Sequence, residues 1–177
     1  MNAPPGPRAL RDAFGTFATG VTIITGTKPG GEPAGVTVNS FTSVSLAPPQ
    51  LLWCLQQDST SMDAFAPHRA FAVHVLAQGQ EALAMHFARR ATVKFPHGAN
   101  PAGDAAPLID GALCRLDGTV EAQHAGGDHV IIVGRVSAVT FGTGDPLVFQ
   151  AGVFGRFAPL PRARHVEAWE TFEGDWF

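Results

Sequence analysis

Six side chains within the nine positions 37–45 carry a hydroxyl or an amide: Thr37, Asn39, Ser40, Thr42, Ser43 and Ser45. Short polar groups beside exposed backbone suit the polar edge of a flat ring. Strand ends and tight turns can also aim N–H groups at an anion without a formal charge. A second small polar cluster, Ser59-Thr60-Ser61, follows an apolar run. His129 comes directly after Gly127-Asp128 and before the apolar residues 130–133. A histidine at a strand start is usually an ordinary surface or strand-edge residue. Arg89, Arg90 and Lys94 form the densest positive group, which either meets a phosphate or is a solvated patch. These residue types suit a ligand with a flat ring, a polar edge and a phosphate tail.

Other chemistries find less support. No GxGxxG lies between a strand and a helix, and Walker A, HExxH and GxSxG patterns are missing. His124 and His129 could approach each other across a hairpin, but no third ligand is visible, so no metal is expected. Cys54 and Cys114 form no CxxC pair, and each sits in an apolar run that predicts a small buried thiol. A disulfide framework is not indicated, which makes the cytoplasm the expected compartment.

The elements that must hold these groups are mostly strands. Residues 1–7 read as a flexible arm. From Arg8 the spacing of Leu10, Phe14, Phe17 and Ala18 predicts a helix with one apolar face, stopped by Gly20. Residues 21–25 (VTIIT) and 33–39 read as strands around the turn at 28–31. Pro48 and Pro49 break the chain before 51–55 (LLWCL), apolar on both faces and so expected to be central. Residues 59–65 predict a short helix capped by Ser59 or Ser61. A strand at 71–76 and a helix at 80–87 follow. Residues 88–107 read as a long loop, of a kind usually functional or mobile. Long strands at 113–123 and 128–141 flank Gly126-Gly127, and short ones follow at 147–150 and 153–157. Consecutive strands joined by short turns disfavour a doubly wound sheet. They predict a mainly β fold, an antiparallel Greek-key split β-barrel with a few peripheral helices. The expected domain spans 8–158, with a tail at 159–177 that carries Trp169, Trp176 and Phe177.

Composition agrees. A chain of 177 residues, 45% hydrophobic and 15% charged, suits one soluble domain. A net charge of −3 without a basic block argues against a nucleic-acid surface. The apolar runs are strand-length, and the Pro-rich start lacks the apolar stretch of a signal peptide, so no membrane partner is expected.

Three segments together resemble the short-chain flavin reductase family, the reductase components of two-component flavin-dependent monooxygenases on an FMN-binding split barrel. They are residues 17–21 (FATGV), 35–49 (GVTVNSFTSVSLAPP) with Ser59-Thr60-Ser61, and 127–136 (GDHVIIVGRV). Residues 71–80 and 147–157 also resemble the family's strands, so the likeness covers about 8–157. The resemblance implies an NAD(P)H:flavin oxidoreductase that passes hydride from NADH or NADPH to FMN or FAD and supplies a separate monooxygenase. It places Thr37, Val38, Asn39 and Ser40 at the flavin ring edge and ribityl chain, with Ser43, Ser59, Thr60 and Ser61 near the phosphate. It places His129 at the nicotinamide and Thr19 near the ring; the charge of Arg89 and Lys94 would suit a flavin or nicotinamide phosphate. For Thr19 a plain role at a helix end is equally open. His74, mid-strand where relatives often carry Asn, reads as a core residue. The resemblance also implies a homodimer whose second subunit completes the flavin edge. One departure stands out: relatives commonly close with Tyr-His-Arg-Gly, whereas this chain has Phe149-Gln150-Ala151-Gly152 and no tyrosine at all. The alternatives are a flavin- or haem-binding split barrel without turnover, and a reductase that keeps FMN and passes electrons to another acceptor.

Overall fold

The computed structural model describes residues 4–90, 93–95 and 105–159. The arm's first residues, the middle of the long loop and the tail aromatics Trp169, Trp176 and Phe177 lie outside them. The described elements are α1 (Pro7–Gly15), β1 (Thr19–Gly20), β2 (Thr22–Thr27), β3 (Pro33–Val38), β4 (Thr42–Leu46), β5 (Pro49–Gln56), a 3-10 turn (Met62–Phe65), β6 (Ala70–Val75), α2 (Glu81–Ala88), β7 (Cys114–Gly126), β8 (His129–Phe141), β9 (Leu147–Gln150) and β10 (Val153–Arg156). Among the described residues none of the helices is long and apolar enough to cross a membrane.

The strands form a seven-stranded antiparallel sheet, in the order β3-β2-β6-β7-β8-β5-β4, and a three-stranded one, β1-β9-β10. The split barrel of the sequence reading is thus observed. The long β7–β8 hairpin turns at Gly127, whose φ of 73° is one that an L side chain rarely adopts. The barrel core gathers around Trp53, whose ring meets Phe65 at 5.7 Å and Phe71 at 5.1 Å, both edge-on. Glycines make room for this stack: a Cβ on Gly134 would come within 2.4 Å of the Phe71 ring. A second cluster, with Val21, Ile23, Leu76, Ala84, Phe87 and Leu147, seats α2 against β2 and β9.

His74 is fully buried, as its mid-strand position suggested. Its Nδ1–H donates to the Ile23 carbonyl at 3.2 Å, and the Ile109 N–H donates to Nε2 at 3.2 Å. Thr25 and Thr27 donate to the carbonyls of Pro107 and Ala105 at 2.6 and 2.8 Å, which ties the end of the long loop to β2.

Several expectations need correction. α1 ends at Gly15, and Gly20 lies in β1 rather than stopping a helix. Among the described residues no side chain of α1 is buried: Phe14, and Phe17 just past the helix, are 73% and 76% exposed. Residues 42–46 form a strand that polar composition concealed. β5 is interior, but only Leu51, Trp53 and Leu55 are fully buried, with Leu52 and Cys54 half-buried. Both thiols are half-buried rather than buried, and partial burial raises the Cys114 pKa. The β7–β8 register sets His124 opposite Ile131 and His129 opposite Gly126, so the two histidines are not cross-strand partners.

Candidate functional site

β3 ends one side of the large sheet, and its outer edge has no strand partner. β5 pairs with β4 only over residues 49–52, so along residues 54–56 its free side faces β3 across a seam. An unpaired strand edge offers backbone N–H and C=O groups to a ligand. Ser40 bridges this seam: its hydroxyl donates to the Cys54 carbonyl at 3.3 Å and accepts from the Cys54 N–H at 3.0 Å. A cleft of about 300 Å³ opens beside the bridge. Its walls are β3, β5, the Ser59-Thr60-Ser61 turn, the C-terminal end of α2 and the start of β8.

The structure brings most of the sequence-predicted residues to this cleft. Thr37, Val38, Asn39, Ser40, Ser59, Thr60, Ser61, Arg89, Lys94 and His129 all line it. Their hydrogen bonds differ. Thr37 donates to the Ala84 carbonyl at 2.7 Å, which docks α2 on β3. Val38 turns its side chain into the barrel core, leaving its backbone for the cleft. Ser59 Oγ accepts from the Ser61 N–H at 3.2 Å, so its own proton remains available. That bond ties the turn, whereas the predicted side-chain cap of the 3-10 helix is not made. The Asn39 amide and the Thr60 hydroxyl have no hydrogen-bond partner among the described residues.

Two predicted positions lie elsewhere. Ser43 sits on β4 opposite Leu51, exposed and outside the cleft, because β4 runs away from the seam. Thr19 belongs to β1, paired with Phe149, and not to a helix end. Its hydroxyl is buried without a hydrogen-bond partner among the described residues. It lines a second groove of about 1050 Å³ between α1 and the β9–β10 turn, which shares Asn39 and Ser40 with the cleft. Lys94 lines the cleft, but its ammonium donates to the carbonyls of His86 and Phe87, each at 3.1 Å, and to that of Arg89. The amine thus caps the α2 C-terminus, and partial burial lowers its pKa.

His129 faces Gln56 across the β5–β8 ladder. Its Nδ1 lies 2.7 Å from Asp128 Oδ1, and this bond holds the Asp128 carboxyl below its ordinary value. Nδ1 is thereby engaged, and Nε2 has no partner among the described residues. Sequence reasoning missed Asp58. The Arg90 guanidinium donates to both of its oxygens, at 2.9 and 2.5 Å, and holds its carboxyl below the usual carboxylate range.

These residues fit a flavin. Donors without partners among the described residues, an edge strand and guanidinium groups share one open cleft. It continues into a larger groove whose aromatic rims, Phe41 and Phe149, suit a flat ring.

The comparisons follow the same line. A family model described as flavin reductase like domain matches residues 14–158. The FMN reductase (NADH) SmoA of Agrobacterium fabrum is 45% identical over 153 residues, 85% of this chain and 86% of that protein. The flavin-dependent monooxygenase reductase subunit HsaB of Rhodococcus jostii is 37% identical over 174 residues, 93% of this chain and 88% of that one. Among solved structures, the Streptomyces globisporus NADH:FAD oxidoreductase SgcE6, in complex with NAD and FAD fragments, superposes with a TM-score of 0.78 at 39% identity. That match covers 90% of this chain and 98% of the other. At this identity and coverage the chain belongs to the flavin reductase family and is an NAD(P)H:flavin oxidoreductase.

Proposed function

We propose that this protein is the reductase component of a two-component system. It takes hydride from NADH or NADPH, passes it to FMN or FAD, and releases the reduced flavin to a separate flavin-dependent monooxygenase. The observation that carries this reading is one cleft in which donors at Asn39 and Thr60, without partners among the described residues, share the walls with His129 and Arg90. Flavin and nicotinamide supply the redox chemistry themselves. The chain's own residues bind and orient. The Asn39 amide offers donors and an acceptor to the polar ring edge, and Ser59, Thr60 and Ser61 serve the phosphate end. His129, fixed through Nδ1 by Asp128, presents Nε2 to the nicotinamide carboxamide, where ring orientation governs the rate. Thr37 and Ser40 hold the walls in place.

The functional unit is a homodimer. The exposed face of α1 and the groove bearing Thr19 adjoin the cleft through Asn39 and Ser40. Stable dimers bury aromatic and apolar surface of the kind that Phe14 and Phe17 present. A monomeric mass by light scattering at micromolar concentration would end this part. We assign the catalytic unit to residues 8–158, with 1–7 as an arm and 159–177 as a tail; limited proteolysis that cuts inside 8–158 first would contradict the boundary. Two free thiols fit a cytoplasmic enzyme, which recovery in an extracytoplasmic fraction would refute.

The direct assay is NADH and NADPH oxidation with FMN, FAD or neither. Turnover should require added flavin. Protein purified yellow that oxidises NADH without added flavin would instead be keeping its flavin for another acceptor.

A further inference from the structure

Arg90 closes one end of the cleft, and its guanidinium is already engaged. Nη1 donates to Asp58 Oδ2 at 2.9 Å, and Nη2 donates to Asp58 Oδ1 at 2.5 Å and to Gln56 Oε1 at 2.6 Å. Two parallel N–H···O bonds are the fork geometry with which a guanidinium takes a carboxylate or a phosphate. Asp58 lies between Gln56 and Ser59, both of which line the cleft, and directly before the hydroxyls of the turn. The pair is in water, with side chains 60% and 69% exposed. Exposed pairs of this kind are weakly held and readily exchanged. Lys94 cannot take over from Arg90, because its ammonium is bound to the α2 carbonyls. The cleft therefore has a ready phosphate fork, held by an internal carboxylate of similar shape and charge.

We propose that Asp58 is an internal competitor for the phosphoryl group of the incoming cofactor. Its carboxylate occupies the Arg90 fork, a phosphate or pyrophosphate displaces it on binding, and it returns to the fork when the cofactor leaves. A reductase that hands on its flavin must release it, and a tethered anion that reclaims Arg90 favours release. This role deepens the reading of the cleft as the flavin site and rests on it.

The test is a double-mutant cycle read by flavin fluorescence, with FMN and riboflavin titrated into the full-length protein. Asp58→Asn should tighten FMN about two- to fivefold, the range set by losing one exposed ion pair. It should leave riboflavin, which lacks the phosphate, unchanged. Arg90→Gln should weaken FMN on the order of tenfold, as expected for charged hydrogen bonds. In the Arg90→Gln background the Asp58→Asn gain should vanish. Asp58→Ala is the second variant, since the Asn amide could still accept from Arg90, and thermal melts check the fold of each. A parallel arm measures inhibition by NAD+ at fixed flavin. A gain there but not with FMN assigns the fork to the dinucleotide pyrophosphate. No gain in either arm, an equal gain with riboflavin, or a gain that persists without Arg90 would overturn the proposal. Failure of the underlying site assignment looks different: Thr60→Val would then bind FMN as the wild type does.

Discussion

On the β3 side of the cleft, Thr37 docks α2 and Ser40 joins β3 to β5, so both hydroxyls are committed to backbone within the chain. On the turn side, Thr60 makes no such bond among the described residues, and Ser59 keeps its proton. The two histidines divide the same way. His74 has both ring nitrogens bonded to backbone in the core, whereas His129 has Nδ1 on Asp128 and Nε2 open. The same residue types therefore build the site at one place and serve the ligand at another. Intrachain hydrogen bonding, more than residue type, separates the two roles.

Four changes break or sharpen this contrast. The largest effect is expected at His129. His129→Ala removes an orienting group, and NADH kcat/KM should fall on the order of ten- to hundredfold while flavin affinity holds. Stopped-flow reduction at saturating flavin measures it, and a wild-type rate with wild-type NADH affinity would make His129 a strand-edge residue only. Ser40→Ala strands the Cys54 N–H at the seam and should cost about 1–3 kcal/mol of stability. Denaturant unfolding reads this, and an unchanged midpoint would show the bridge to be idle.

Thr60→Val should show the reverse pattern. Flavin affinity should fall by roughly 0.5–1.5 kcal/mol, the worth of one hydrogen bond, with the melting temperature kept. Flavin titration beside a thermal melt separates the two, and a loss of stability without a loss of affinity would dissolve the contrast. The smallest effect expected in ordinary buffers concerns His74. Burial pushes its imidazole below the ordinary value, and protonation would also remove the acceptor that Ile109 uses. The unfolded chain then takes up the proton first as pH falls. Stability that is full above about 6.5, the unfolded value, is lost progressively below it. Melts between about pH 7 and 5 should fall more steeply for the wild type than for His74→Gln, which does not titrate; parallel slopes would rule out His74 as the cause.

How much of this is legible in the sequence follows from the range of each interaction. The β7–β8 hairpin is readable because a strand of alternating apolar and polar residues and a mostly apolar one flank Gly126-Gly127, and the turn needs the positive φ that Gly127 supplies. Helix α2 is readable from Leu83 and Phe87, one turn apart, with Phe87 buried and Leu83 packed against the second core cluster. β4 is not readable, because TSVSL has no buried face and even Leu46 is 77% exposed. The stripe on α1 is correctly apolar, but among the described residues nothing buries it. Composition marks the polar stretch from which the cleft draws Thr37 and Ser40, but not that Ser43 falls outside it. Nor does it mark which of the hydroxyls are committed, because Thr37 bonds 47 residues away and Ser40 14 residues away. The Arg90–Asp58 fork spans 32 residues and is equally invisible until the chain is folded.

The central claim is that flavin occupies the seam cleft, and the protein's own thiols test it without a substitution. Cys54 lines the cleft, while Cys114 sits on β7 between Val75 and Phe141; both are half-buried. Alkylation of each thiol is followed by mass spectrometry as FMN is raised to saturation. Labelling of Cys54 should slow in proportion to bound flavin while Cys114 keeps its own rate. If Cys54 is labelled equally fast with and without saturating FMN, the flavin binds elsewhere and the site described here is contradicted.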